Sequence, residues 1–321
     1  MKQVVQSIGL IMGLAVGSAA YAADYPDRTV TIIVPFGAGS GADYVVRLVA
    51  EAVTEKAGQP FVVDNRPGAS GTRGAAQAYR ADPDGYTLVL SSAAMSITDS
   101  AYPDLPYESR NFENITVLTQ VPLVLAAHVG LGIEDLDSFL THTADNPGSV
   151  SFGSLGVATS HHVTAESFMM ATGLEMIHVP YGGAGEAHSD LVGGHIDVMF
   201  DNVASMAPRV ESGDVVPLAV TSAERHRLLP DVPTFQESGV ADFAVVTWMG
   251  VAAPPGTPPE ILDILNDYFV AALEQSEVQE ALNDRGLDVV ANSRPEAAEF
   301  LTSEIHRWAE LIDHAGIDLS D

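Results

Sequence analysis

The chain contains no cysteine and almost no lysine. Without cysteine it can have neither a disulfide bridge nor a thiol nucleophile. Lys2 and Lys56 are the only lysines, and 43 acidic residues outnumber 14 basic ones, so the formal net charge is −29. Nucleic acids and anionic membranes bind basic surfaces, and we therefore expect neither as a partner. We interpret the charge as a solvated acidic surface suited to a saline habitat, where salt screens self-repulsion.

Long apolar runs are also missing, apart from a short one at the start. Residues 1–22 have the pattern of a secretory signal peptide, because Lys2 precedes the apolar run Ile8–Val16 and Ala20-Tyr21-Ala22 fits the cleavage pattern. No later stretch reaches the roughly 20 apolar residues of a membrane-spanning helix. We therefore expect a periplasmic protein whose mature chain does not insert into a membrane.

The rest of the chain alternates between strand-like and helix-like runs. Val30–Val34 precedes a predicted helix at Tyr44–Lys56, and the same order recurs downstream. This alternation predicts an α/β fold with largely parallel sheets. A third strand, Thr87–Ser91, is expected to lead into a loop that carries Met95 and Ser96. Two helices, at about 261–272 and 295–315, are expected to close the chain.

Two extended stretches divide the fold into halves of similar pattern. The chain is expected to cross from one half to the other near Val121–Val124 and to return near Val246–Val251. We therefore predict two α/β lobes joined by extended crossover strands, with a ligand cleft between them. Lobe I is predicted to comprise residues 24–122 and 248–321, and lobe II residues 123–247.

Four turns rich in glycine and hydroxyl residues follow predicted strands. Such a turn leaves the first N–H groups of the next helix unpaired and directs the helix dipole at one point, which suits an anion. The hydroxyls can add hydrogen bonds to carboxylate oxygens without any lysine. One such turn is common in any α/β fold, but four together favour an anion-binding cleft. The turns are Gly37–Asp43, Pro67–Gly74, Ser154–Ser160 and Pro180–Gly185.

A dinucleotide-binding enzyme is the main alternative. Gly37–Ala42 matches the pattern G-x-G-x-x-A after a strand, and Asp64 lies where a ribose-binding acid is expected. Export argues against this alternative, because nicotinamide cofactors are not normally available outside the cytoplasm. A hydrolase is disfavoured by the absence of a G-x-S-x-G motif.

A metal site could be built only around His161, His162 and Glu166, and H-E-x-x-H is absent. Adjacent histidines point in different directions on a helix, so capping or packing is the expected role of this pair. His178 is expected to be a buried strand histidine. We predict no catalytic residue, no metal and no cofactor.

Motifs spread over essentially the whole mature chain resemble the solute receptors of tripartite tricarboxylate transporters, of the TctC/Bug type. They occur in the order and at the spacing of that family. The motifs are Tyr25-Pro26-Asp27-Arg28, Val34-Pro35-Phe36, Asp64–Gly71, Asp82–Leu88, His178–Tyr181, Gly193–Asp201, Ala219–Ser222, Leu229–Thr234 and Ala253–Pro258.

The resemblance implies a two-lobed periplasmic binding protein, type II-like, that is not an enzyme. It implies that the chain captures a small organic carboxylate, closes on it and delivers it to the membrane permease of a tripartite transporter. A receptor that presents the carboxylate to a membrane signalling partner is the alternative within this class.

The resemblance also assigns ligand-binding residues to the ends of the predicted strands. In lobe I they are Phe36, Ser40, Asp43, Ser70, Gly71, Thr72, Ser92 and Ala93, and in lobe II they are Thr159, Ser160, His162, Tyr181, Gly182, Gly183, Asp201 and Asn202. Carboxylates repel an anionic ligand. Asp43 is therefore expected to cap its helix, and Asp201 to brace a loop through backbone amides.

Two residues depart from the family pattern. Ala158 replaces the second glycine of G-x-G-T-S, and Gly182 stands where a lysine commonly follows Val-Pro-Tyr. Because that cation is missing, we expect a mono- or dicarboxylate rather than a highly charged ligand such as citrate.

Overall fold

The computed structural model describes residues 25–102, 104–241 and 243–315. The predicted signal peptide, residues 1–22, lies outside these ranges. The described residues form ten strands and ten α-helices. The strands are β1 (Val30–Val34), β2 (Phe61–Asn65), β3 (Thr87–Ser92), β4 (Glu113–His128), β5 (Val150–Ser154), β6 (Met176–Pro180), β7 (Val198–Asn202), β8 (Val215–Val220), β9 (Val246–Ala253) and β10 (Asp288–Val289). The helices are α1 (Gly41–Ala57), α2 (Thr72–Tyr79), α3 (Ala93–Ala101), α4 (Leu136–Asp145), α5 (Ser160–Thr172), α6 (Ala184–Gly193), α7 (Val203–Glu211), α8 (Pro259–Leu273), α9 (Ser276–Asn283) and α10 (Arg294–Ala315).

Strand β4 is one continuous strand of 16 residues that takes part in two sheets. Residues Glu113 to Pro122 pair with β9, and the residues from Leu123 onward pair with β7 and β8. The strand order is β2-β1-β3-β9-β4-β7-β5-β6, with β8 and β10 also paired to β4. The strand passes from one sheet to the other between Pro122 and Leu123, inside the stretch predicted for the first crossing. The lobe boundaries themselves stay a prediction.

The sheets are mixed rather than largely parallel, which corrects the expectation from the sequence. β1 pairs in parallel with β2 and β3, and β5 pairs in parallel with β6 and β7. The pairs that involve β4 and β9 are antiparallel. A strand that is buried on both faces is apolar along its whole length, whichever way it runs. The sequence pattern therefore does not show whether neighbouring strands are parallel or antiparallel.

Two expectations about single elements are also wrong. The segment that carries Met95 and Ser96 is helix α3 rather than a loop. Helix α9 and the short strand β10 lie between the two helices that were expected to close the chain.

Helix α1 shows how local sequence sets an element. Ser40 is its N-cap and accepts a hydrogen bond from the Asp43 backbone N–H, and Gly58 ends the helix with a φ of 70°. Val45 and Val49, one turn apart, are fully buried in the core that α1 shares with β1. The helix start is therefore fixed directly after the first glycine-rich turn.

Helix α10 connects the two sheets on one side of the molecule. It packs against α3 and β4 and also against α5, and its buried Trp308 shares a core cluster with Phe168 of α5. The indole N–H groups of Trp248 and Trp308 donate to Glu304 at 2.9 and 3.1 Å. Burial raises the pKa of Glu304.

No helix in the described ranges is both long and apolar enough to cross a bilayer.

Candidate functional site

The carboxyl ends of two parallel strands, β3 in the first sheet and β7 in the second, lie beside neighbouring positions of β4. In the first sheet, Ser92 at the end of β3 pairs with Met249 of β9, which pairs in turn with Thr119 of β4. In the second sheet, Asn202 at the end of β7 pairs with Leu123 of β4. Since Thr119 and Leu123 are close neighbours along one strand, the strand ends of the two sheets meet at the same crossing.

The predicted ligand-binding residues all lie at these strand ends or at the starts of the helices that follow. Phe36, Ser40 and Asp43 lie between β1 and α1 or in the first turn of α1. Ser70, Gly71 and Thr72 lie between β2 and α2 or at the start of α2. Ser92 and Ala93 lie where β3 meets α3. Thr159, Ser160 and His162 lie at the start of α5. Tyr181, Gly182 and Gly183 lie between β6 and α6, and Asp201 and Asn202 lie at the end of β7. The side chain of Ser70 lies outside the described part of the structure.

Most of the helices that begin here lack a side-chain cap among the described residues. Ser40 caps α1 and Thr159 caps α5. No side-chain hydrogen bond caps α2, α3, α6 or α7, whose N-cap residues are Gly71, Ser92, Gly183 and Asn202. A helix start without a side-chain cap can offer its first N–H groups to a ligand or water. In α2, the Thr72 N–H already donates to Ala69 O.

Asp43 is buried and braces the first turn. One carboxylate oxygen accepts from the Gly39 N–H at 2.9 Å, and the other accepts from Arg47 Nε at 2.9 Å and Asn65 Nδ2 at 2.8 Å. The hydrogen bond from Arg47 outweighs the effect of burial and lowers the pKa of Asp43 to about 2. Both oxygens accept hydrogen bonds within the protein, which supports a structural role over a ligand contact. This role differs from the expected one, because Ser40 caps the helix and Asp43 braces the turn before it.

The second turn packs tightly on the first. Gly71 has a φ of +90°, and a Cβ on Gly74 would approach Arg66 O to 2.9 Å and the Pro35 Cα to 3.0 Å. Only glycine allows α2 to start so close to the residues that follow β1. The Thr72 hydroxyl donates to Ala69 O at 2.8 Å and is therefore used within the turn.

The turn between β5 and α5 is held by its own hydroxyls. Ser154 Oγ and Thr159 Oγ1 both donate to Gly156 O, at 3.1 and 2.7 Å. Ala158 has a φ of +60°, in the left-handed region that favours glycine. The backbone therefore has a conformation that favours glycine at the position where the family pattern has glycine and this chain has alanine.

Three rings stack beside this turn. The His178 ring lies between those of Phe152 and His162, with centroid distances of 4.8 and 4.0 Å. His178 Nε2 is 2.6 Å from Ser154 Oγ, and His162 Nε2 is 3.4 Å from the Glu166 carboxylate. Burial and the neighbouring His162 lower the pKa of His178 to about 4. His178 is only half-buried, which corrects the expectation of a buried residue, because β6 is an edge strand.

Asp201 is fully buried between two histidines. His161 Nε2 lies 3.0 Å from one carboxylate oxygen, and His188 Nε2 lies 2.5 Å from the other. The Asn202 N–H donates to Asp201 at 2.6 Å. Burial raises the pKa of Asp201, but the hydrogen bonds from His161 and His188 outweigh it and hold this pKa well below its usual range. Bracing through a backbone amide was expected, whereas the two histidine partners were missed.

Tyr181, Gly182 and Gly183 join β6 to α6. Tyr181 Oη donates to Asp190 Oδ2 at 2.7 Å, and burial together with this bond raises the pKa of Tyr181 to about 12. Its hydroxyl is therefore held on α6. A Cβ on Gly182 or Gly183 would meet no atom within 4 Å. The first carbon of a side chain at 182, where the family pattern has lysine, therefore meets no neighbouring atom.

Two threonines that the sequence did not single out fasten the crossing strands. Thr221 Oγ1 donates to Val245 O at 2.5 Å and accepts from the Leu123 N–H at 2.9 Å. Thr247 Oγ1 donates to Asn202 Oδ1 at 3.0 Å. The side chain of Asn202, a predicted site residue at the end of β7, is thus bonded directly to β9 of the first sheet.

A surface groove of about 890 Å³ lies between α7, β8 and residues 227–233. Its walls include an excess of carboxylates, which repel an organic acid. The acidic residues are Glu134, Asp135, Glu211, Asp231 and Asp284. The strand ends, where four helices start without a side-chain cap, are therefore the better candidate site.

The model of the tripartite tricarboxylate transporter family receptor, TctC, matches residues 45–317. The chain belongs to this receptor family. Solved structures of similar proteins cover nearly the whole chain. The periplasmic binding protein BugD is 34% identical with a TM-score of 0.80, over 91% of this chain and 99% of BugD. Rpa4515 of R. palustris, solved with adipate, is 31% identical with a TM-score of 0.83, over 91% and 99% of the two chains. MatC of Rhodopseudomonas palustris, with bound malate, is 31% identical with a TM-score of 0.79, over 90% and 100%.

As a TctC receptor, the protein is a substrate-binding protein and not an enzyme. Its fold is the α/β fold of the periplasmic binding proteins, as predicted from the sequence. Asp64, the acid of the dinucleotide-binding alternative, pairs with Arg66 Nε at 2.8 Å. The glycine-rich first turn is therefore part of a receptor fold and not of a dinucleotide-binding domain.

Proposed function

We propose that this TctC receptor is periplasmic, binds a mono- or dicarboxylate between its two lobes and delivers it to the permease of a tripartite transporter. The observation that carries this proposal is the group of uncapped helix starts, of α2 and α3 beside the first sheet and of α6 and α7 beside the second. A carboxylate at this position accepts hydrogen bonds from both sides of the crossing at once. The ligands of Rpa4515 and MatC, adipate and malate, support this ligand class.

Binding is expected to close the two lobes, residues 24–122 with 248–321 and residues 123–247, on the acid. The acid forms all of its hydrogen bonds only when both lobes contribute donors. It therefore binds the closed form more tightly and shifts the open–closed equilibrium toward it. Solution scattering should show a smaller radius of gyration with a bound acid than without it. An unchanged radius with a saturating, demonstrably bound acid contradicts closure.

The proposed function is tested by thermal unfolding of the chain from Ala23 onward with a panel of carboxylates in high salt. Ligand at about a thousand times its dissociation constant adds about 4 kcal/mol to the free energy of unfolding. In a chain of this size that raises the melting temperature by several degrees. The amide of each acid is the matched control, since it keeps the shape and loses the charge. A folded protein that responds to no acid, or equally to acid and amide, argues against the proposal.

The missing cation at Gly182 sets the expected charge of the ligand. Gly182→Lys should raise the affinity for citrate more than for a dicarboxylate, because the added ammonium group pairs with the extra carboxylate. Gly182→Gln supplies a side chain of similar length without charge as the control. Equal affinities of both variants and the parent protein for every acid would remove the basis for excluding a tricarboxylate.

Measuring uptake of the acid by cells distinguishes delivery to a permease from presentation to a signalling partner. Cells that carry the permease should accumulate the labelled acid only when this receptor is present. A receptor-dependent transcriptional response without receptor-dependent uptake would favour the signalling alternative.

A further inference from the structure

Arg227 joins two segments of the chain that belong to different sheets. It lies in the loop between β8 and β9. Its guanidinium group donates to Asn283 O at 3.0 Å, to Leu287 O at 3.3 Å and to the Asp288 carboxylate. The three acceptors lie at the end of α9, in the turn that follows it and in β10. We call the Arg227 side chain and these three acceptors the clasp.

Each side of the clasp is fixed to its own sheet. The Val220 N–H, at the end of β8, donates to Pro233 O at 2.9 Å, and the Phe235 N–H donates back to Val220 O at 3.2 Å. The loop that carries Arg227 is thereby closed onto β8, which pairs with the part of β4 after the crossing. Asp288 of β10 pairs with Gln120, in the part of β4 before the crossing. The clasp therefore spans the crossing.

The two segments are shaped to meet at the clasp. The buried His226 accepts the Leu228 N–H at Nδ1, at 3.2 Å, which braces the turn on either side of Arg227. On the other segment, Gly286 has a φ of +74°, and a Cβ there would lie 2.7 Å from Leu228 Cδ1 and 3.4 Å from the Ala204 Cα of α7. The absence of a side chain at Gly286 therefore lets the two segments touch directly beside the guanidinium group.

The clasp is a connection separate from helix α10, and it is polar and partly exposed. Leu287 is buried in the core cluster of α1, whereas Trp308 of α10 belongs to the cluster of α5. The side chains of Arg227 and Asp288 are 37% and 49% exposed. An exposed ion pair adds little to the stability of a whole protein. It can still decide between two folded arrangements, since a tenfold change in binding corresponds to only about 1.4 kcal/mol.

We propose that the clasp holds the two halves of the molecule in the arrangement that binds the acid, which makes Arg227 a positioning residue for the carboxylate site. This inference rests on the proposed function. The helix starts that are proposed to hold the acid come from both sheets, so their spacing depends on how the halves are held. A protein whose halves are already in place loses less conformational freedom when the acid binds, and it binds more tightly. Without Arg227, the free protein also populates more open arrangements.

The test combines calorimetric titration with solution scattering of the chain from Ala23 onward, in salt of about 150 mM. Arg227→Met keeps an apolar side chain and removes every donor of the clasp. It should weaken the binding of malate or adipate by about three- to tenfold and increase the radius of gyration of the free protein. Arg227→Lys keeps the charge but lacks the planar set of donors, so its affinity should lie between those of the parent protein and Arg227→Met.

Arg225→Met is the matched control. Arg225 pairs with Glu237 of the same loop at 2.8 Å, so this variant loses the same charge without touching the clasp and should keep the parent affinity and radius.

Three results would overturn the proposal: an equal loss of affinity in both methionine variants, an unchanged affinity and radius in Arg227→Met, or tighter binding by Arg227→Met. If Arg227→Met does not fold, Asp288→Asn makes the same test from the other side of the clasp. If the unaltered chain binds no acid from a wider panel, the proposed function fails, and the radius of the free variants then decides whether the clasp holds the halves.

Discussion

Ala158 has a φ of +60°, a conformation that costs alanine about 1 kcal/mol or more and glycine nothing. Glycine loses more backbone entropy on folding, which offsets part of the gain. We predict that Ala158→Gly raises the free energy of unfolding by up to about 1 kcal/mol. Chemical denaturation measures the difference. Ala165→Gly, in the interior of α5, is the matched control and should destabilise by at least about 1 kcal/mol. Equal destabilisation of both variants would contradict the strain at residue 158.

His178 links stability to pH. Its pKa falls from 6.5 to about 4 on folding, because it is partly buried and lies against His162. The unfolded chain therefore takes up a proton on His178 at a higher pH than the folded chain does. This contribution to stability is complete above pH 6.5 and is lost as the pH falls from 6.5 through 4, by about 1–3 kcal/mol.

His178→Gln should flatten the stability profile across this pH window. Carboxylates also titrate toward its acid end, so the measured quantity is the difference between the two profiles obtained by denaturation at each pH. Parallel profiles for the variant and the parent would show that His178 does not contribute.

The buried partners of Asp201 could not be predicted from the residues. His161 and His188 lie 40 and 13 residues away from it in the sequence, with no spacing that links them. Asp43 was expected to cap its helix, and that is wrong because Ser40 is the N-cap. A structural role within the turn was predictable all the same, because its partner Gly39 lies only four residues away. Polar contacts follow from sequence when they are local, and those between separate elements depend on packing.

At the scale of elements, the start of α2 depends on the absence of a side chain at Gly74. A Cβ there would lie 2.9 Å from Arg66 O and 3.0 Å from the Pro35 Cα, so the helix would have to move away from the first turn. We predict that Gly74→Ala destabilises the protein by about 1–3 kcal/mol and also weakens carboxylate binding. The measurements are denaturation and titration with a bound acid.

Gly185→Ala is the matched control for this prediction. Gly185 lies in α6, where an added Cβ meets no atom within 4 Å, so alanine should be neutral or stabilising by up to about 1 kcal/mol. If Gly74→Ala changes stability and binding no more than Gly185→Ala does, the close approach of α2 to the first turn contributes to neither.

The elements differ in how well the sequence predicted them. Helix α1 was expected at Tyr44–Lys56 and extends over Gly41–Ala57, since its apolar spacing and caps are clear. Helix α3 was taken for a loop because Ala93–Ala101 consists largely of small and polar residues. It is helical because the core clusters on either side bury Met95 and Ile97. Tertiary packing, which the local pattern does not contain, decided this element.

At the scale of the whole molecule, the net charge of −29 opposes compaction. We predict that the melting temperature rises as sodium chloride increases from about 10 mM to about 1 M, because salt screens repulsion between acidic side chains. Sucrose at matched osmolality is the control for effects that do not depend on charge. A melting temperature that is constant in salt, or that rises equally in sucrose, contradicts this interpretation of the composition.

The two-lobed α/β plan was predictable because strands and helices alternate twice around two extended stretches. The direction of the strands was not, since β4 and β9 are apolar along most of their length and are buried on both faces. The convergence of strand ends at Thr119 and Leu123 depends on those antiparallel pairings. The sequence therefore predicted which turns form the candidate site but not the arrangement that brings them together.

The position of β9 between β3 and β4 has a consequence for the order in which the chain can fold. The ribosome synthesises β9 only after β5 to β8. Until then the sheet nearest the N-terminus lacks the strand that joins β3 to β4, while β4 to β8 already have their partners for the other sheet. The half encoded in the middle of the gene can therefore fold first, and the strands made earliest stay without one of their neighbours until Ala253 has been added.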